Sequence, residues 1–74
     1  MKMKINLDTA AAAKRITELA LALPPEAAIT ITDNNGLRVN ARSMLGALYA
    51  LEFNELWLES DVDCWRVFKE FEVE

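Results

Sequence analysis

The sequence predicts an α+β domain, an open-faced sandwich of order βαββαβα with four antiparallel strands and three helices on one face. Three observations carry this. Segments with a period-two apolar pattern alternate irregularly with segments of helical period. Each strand shows a single apolar face, which leaves the opposite face of the sheet to water. The 74 residues allow one core, because a chain this short withdraws only about 60% of its unfolded surface from water. Residues 1–74 are therefore read as one domain.

Met1 to Leu7 sets Met3, Ile5 and Leu7 against Lys2, Lys4 and Asn6, the alternation of a strand with one buried face. Asp8 or Thr9 then caps a helix running to about Leu23. Ala10 to Ala13 are strong helix formers, Ile16, Leu19, Ala20 and Leu23 recur at helical spacing, and Pro24-Pro25 ends the element. Ile29 to Thr32 and Leu37 to Ala41 alternate about Asp33-Asn34-Asn35-Gly36, whose Asn-Gly pair suits the positive-φ positions of a hairpin turn. Ser43 reads as the N-cap of a short helix bearing Met44, Leu45, Leu48 and Leu51. Gly46 weakens that helix by about 1 kcal/mol relative to Ala, which signals either a close packing contact or tolerance of a short element. Glu55 to Glu59 is the fourth strand, with Leu56 and Leu58 on the core face and Trp57 opposite. Ser60 or Asp61 opens the last helix, where Cys64, Val67, Phe68 and Phe71 form one stripe, Asp63 holds a capping-box position and Trp65 lies at the core's edge.

Composition narrows the chemistry. The chain is 53% hydrophobic and 27% charged, the balance of a compact globular domain. Eight Lys and Arg against twelve Asp and Glu give a net charge of -4, so phosphate neutralisation has little to draw on and no nucleic-acid partner is expected. There is no histidine, which removes imidazole nucleophiles, general bases and metal ligands. One cysteine permits no intramolecular disulfide and suits a reducing cytoplasm; Cys64 reads as a small buried hydrophobe. No apolar run reaches the length of a membrane span, so no membrane role is expected. The carboxylates of Asp61, Asp63, Glu70, Glu72 and Glu74 form no pair at catalytic spacing and read as a solvated face. The expectation is a protein that is not an enzyme and uses no metal or cofactor.

The run Val39-Asn40-Ala41-Arg42-Ser43-Met44-Leu45-Gly46 resembles the HPr family, the small phosphocarriers of the bacterial sugar phosphotransferase system. There, Asn-Ala-Lys-Ser followed by two apolar residues and Gly leaves the hairpin and enters the second helix. The order of elements is similar too. The resemblance implies an HPr-like fold, and it places on Ser43 a family role as helix cap and, in one bacterial lineage, regulatory phosphorylation site. The chain departs from the family between the first strand and first helix. Family carriers have an apolar-His-Ala-Arg-Pro-Ala segment with His as phosphoryl acceptor, whereas this chain reads Leu7-Asp8-Thr9-Ala10-Ala11-Ala12-Ala13. Phosphohistidine transfer is thereby excluded, since the ring nitrogen and its cradle are both missing. Asp8 is read as a cap candidate rather than as an acyl-phosphate site.

These readings converge on one candidate surface. Ser43 at a helix start, with Arg42 adjacent and Arg38 on the preceding strand, is expected to tolerate a phosphate; the plain alternative is a cap worth about 1 kcal/mol. Met44 and Tyr49 are expected to be exposed for docking a protein partner, with Leu45 and Leu48 in the core. Trp57 is expected on the open sheet face among Lys2, Lys4, Thr30, Thr32, Arg38 and Asn40, as a cation–π partner or an interface anchor. The resemblance implies a partner such as a kinase or a transcriptional regulator of carbon metabolism. The competing expectation is a structural or self-associating domain, a monomer or weak homodimer.

Overall fold

Period-two alternation decides the sheet, and the computed structural model, which describes residues 1–73, realises the expected α+β layout. In chain order the elements are β1 (Lys2–Ile5), α1 (Ala10–Leu21), β2 (Ile29–Thr32), β3 (Arg38–Asn40), α2 (Met44–Ala50), β4 (Leu56–Ser60) and α3 (Trp65–Phe68), followed by a 3-10 turn at Lys69–Phe71. The strands lie in the order β1-β4-β2-β3, every neighbouring pair antiparallel. Register aligns Met3, Leu58, Ile31 and Val39 across the four strands. Because side chains on one pleat share a face, this row forms the sheet's half of the core. Ile5 opposite Leu56 adds to it, and Ile16 and Phe68 seal it from the helical side.

Thr9, rather than Asp8, caps α1: its extended backbone lets Oγ1 accept from the Ala12 amide at 3.1 Å. The helix ends at Leu21, two residues earlier than expected, since a residue preceding proline is pushed out of helical geometry and Leu23 precedes Pro24. In the hairpin, Asp33 Oδ1 accepts from the Asn35 amide at 2.8 Å and the Leu37 amide at 3.1 Å. Asn34 and Gly36 take the positive φ values of 66° and 103°.

Two expectations fail in the second half of the chain. Leu45, assigned to the core, is 81% exposed, and Met44, assigned to the surface, is half-buried against the core. The helix instead turns Ala47 and Ala50, both wholly buried, into the core. Gly46 marks a close approach to β3: a Cβ there would stand 2.9 Å from the Asn40 carbonyl oxygen and 3.3 Å from Val39 Cβ.

The last helix begins at Trp65, not at Ser60 or Asp61. Side chains that bond to nearby backbone compete with helix formation, and Ser60 and Asp63 are occupied in that way, while Asp61 is held by the distant chain before β2. Ser60 Oγ donates to the Val62 carbonyl, Asp61 Oδ1 accepts from the Ala28 amide and Asp63 Oδ1 accepts from the Trp65 amide. After the 3-10 turn the chain runs along the outer edge of β1. Asn6 donates to the Phe71 carbonyl at 2.9 Å, and Val73 to that of Lys4 at 3.0 Å.

Gly46→Ala tests the packing of α2. The gain in helix propensity of about 1 kcal/mol is outweighed by forcing a methyl against backbone, which costs about 1–3 kcal/mol. A lower urea midpoint with an unchanged m value is the expected outcome.

Candidate docking site on the second helix

The corner between β3 and α2 is built from local hydrogen bonds. Asn40 Oδ1 accepts from the Arg42 amide at 2.9 Å, and the Asn40 carbonyl accepts from the Ser43 amide at 3.0 Å. This tight turn delivers Ser43 to the N-cap with extended φ and ψ of -95° and 121°. Its Oγ accepts from the Gly46 amide at 3.2 Å, which leaves the hydroxyl proton pointing elsewhere.

The two arginines expected beside Ser43 have their guanidinium groups engaged elsewhere. That of Arg42 donates to the carbonyls of Leu23 and Pro24, so it ties the start of α2 to the chain leaving α1. A cation suits that position, because unsatisfied carbonyls gather where a helix ends. The guanidinium of Arg38 donates to Glu59 at 3.1 Å on the open face of the sheet. Ser43 is thus a half-buried cap with no guanidinium group directed at it.

The outer side of α2 carries Leu45, the most exposed large apolar side chain among the described residues. Leu45 and Tyr49, four residues apart, share one face; Tyr49 is 53% exposed. The Tyr49 ring meets Phe53 edge-on, with centroids 5.6 Å apart, which braces it in the outward position. Sequence reasoning placed Met44 here and missed Leu45. The available signal was the pair Ala47 and Ala50, three residues apart, whose small side chains mark the inner face once Gly46 is read as a close approach.

Trp57 lies on the open sheet face, but it is half-buried rather than an exposed anchor. The ammonium groups of Lys2 and Lys4 stand 5.2 and 5.9 Å from its ring centroid. Around them runs a chain of charges: Lys2 and Arg38 both pair with Glu59, and Lys4 pairs with Glu55. Partial burial pushes the Glu59 carboxyl up. The hydrogen bond and charge of Arg38, with the charge of Lys2, outweigh this and hold it below the ordinary carboxylate value.

Cys64 is buried, its sulfur 3.3 Å from Ser60 Oγ. Among the described residues there is no cluster of three or more Cys, Asp or Glu arranged to hold a metal ion, and no helix is long and apolar enough to cross a membrane. Fold and site together define a small α+β open sandwich with an apolar helix face beside a capping serine. No family model matches the chain, and no curated protein or solved structure matches it.

The Glu59 cluster has a definite pH dependence. A carboxyl held low in the folded state stabilises the fold above the ordinary carboxylate range and ceases to do so as pH falls through its depressed folded value. Glu59→Gln is expected to melt below the parent at neutral pH, with the difference closing in acid and shrinking in high salt because the pairs are exposed. Thermal melts across that pH range provide the check.

Proposed function

We propose that this chain is an HPr-like protein without phosphohistidine carrier activity, acting in the bacterial cytoplasm as a regulatory module that binds a protein partner through α2. The partner class is a kinase or a transcriptional regulator of carbon metabolism, and phosphorylation of Ser43 is the control. The observation that carries the reading is Leu45. An apolar side chain 81% exposed, one turn from Tyr49 and two residues from Ser43, gives a partner a site that serine chemistry can switch. Covering that side chain stabilises a complex by about 1.5–3 kcal/mol. The segment Val39 to Gly46 and the βαββαβα order support the family reading, and the absence of histidine leaves recognition as the surviving use of the fold.

In the phosphorylation step, Ser43 Oγ attacks the γ-phosphorus of ATP, its proton passes to the kinase's base, and ADP leaves. The product adds about -1.5 to -2 charge at the helix start. That charge sits beside the surface that docks, so it alters partner affinity directly.

Incubation with ATP and a kinase specific for the family's serine is expected to add one phosphate, at Ser43, and none to Ser43→Ala. Absence of modification where a control HPr is labelled rejects the proposal. Leu45→Glu is expected to reduce the kinase's kcat/KM for the chain without lowering its melting temperature, since Leu45 is outside the core. Ser43→Ala alone is expected to cost about 1 kcal/mol of stability through the lost cap.

A further inference from the structure

We propose that the hairpin tip is a self-modifying site at which Asn35 converts to aspartate and isoaspartate through a succinimide closed by the Gly36 amide. The geometry singles out this peptide link. Asp33 Oδ1 accepts from the Asn35 amide on one side and the Leu37 amide on the other. Among the described residues the Gly36 amide between them donates to no acceptor. Asn35 and Gly36 are both exposed. Beyond the two flanking residues, no heavy atom lies within 4 Å of the place where a Cβ of residue 36 would stand, so the tip is open on that side.

The other four asparagines lack one or more of these conditions. The nitrogen that would attack Asn34 is the Asn35 amide, held by Asp33, and the Asn34 side-chain oxygen accepts from Lys2 Nζ at 2.6 Å. The nitrogen following Asn40 donates to the Ile29 carbonyl. Asn6 and Asn54 precede Leu7 and Glu55, whose side chains stand beside the attacking nitrogen.

The Gly36 nitrogen gives its proton to solvent base and forms a bond to Asn35 Cγ. The bond from Cγ to the side-chain nitrogen breaks, and that nitrogen leaves as ammonia. Water then opens the ring. Attack at the side-chain carbonyl leaves an aspartate with the original backbone; attack at the main-chain carbonyl routes the chain through Cβ and Cγ as isoaspartate. The isoaspartyl product lengthens the backbone between two amides that share the Asp33 oxygen, and either product adds one carboxylate beside Asp33.

The test incubates the folded full-length chain at neutral and mildly alkaline pH and follows it by peptide mapping. Methyl transfer from S-adenosylmethionine by an L-isoaspartate O-methyltransferase provides a second readout. The expected result is replacement of –NH2 by –OH at Asn35 ahead of every other asparagine, faster at higher pH, with methyl acceptance. Asn35→Gln, which must close a larger ring, is expected to lose methyl acceptance while keeping the parent's circular dichroism. The inference is overturned if the folded chain stays unchanged at Asn35 while a peptide of residues 31–39 converts. It is equally overturned if another asparagine reacts first, or if Asn35→Gln accepts methyl groups as the parent does.

Discussion

Leu58 sits where the two halves of the molecule meet. It is fully buried in β4, opposite Met3 of β1 on one side and Ile31 of β2 on the other. The sheet has no direct pairing between β1 and β2, so the N-terminal strand joins the hairpin only through this late strand. The helices pack on that row of side chains: α1 contributes Ile16 and Ala20 to the core, Phe68 closes it, and α2 approaches β3 closely at Gly46. A non-local central strand makes the fold cooperative, because burying either half against the helices requires the same strand to be in place.

Much of this was legible in the residues. The hairpin about Asp33 to Gly36, the capping role of Ser43 and the core face of each strand follow from local chemistry that tertiary structure did not override. The rotation of α2 was harder to read, because hydrophobic size argues for Leu45 inside. The helix instead buries Ala47 and Ala50, and the cue lies in Gly46, whose close approach to Asn40 and Val39 depends on how near another backbone comes. The engagements of Arg42 with the end of α1 and of Arg38 with Glu59 join residues 18 to 21 positions apart, beyond the reach of spacing rules. The delayed start of α3 was partly readable, since Ser60, Asp61 and Asp63 are residue types that bind backbone in turns.

The two faces of the domain differ in how far their chemistry is already satisfied. On the open sheet face, cations and carboxylates neutralise one another around Trp57, and the indole is covered by the ammonium groups it attracts. On α2, Leu45 is the most exposed large apolar side chain among the described residues, and it has Tyr49 as neighbour on the same face. The helical side, near the serine cap, thus keeps apolar surface in contact with water, while the sheet side pairs its charges among themselves.

The backbone laid along β1 by Phe71 to Val73 has a consequence for aggregation. Strand edges are templates for further strands, and this segment already occupies the β1 edge at Lys4 and Asn6. The opposite edge, β3, is three residues long, and the Asn40 carbonyl is consumed by Ser43. Strand addition is therefore obstructed along the C-terminal half of β1 and limited to three residues at β3, so each edge offers a further strand only a short template.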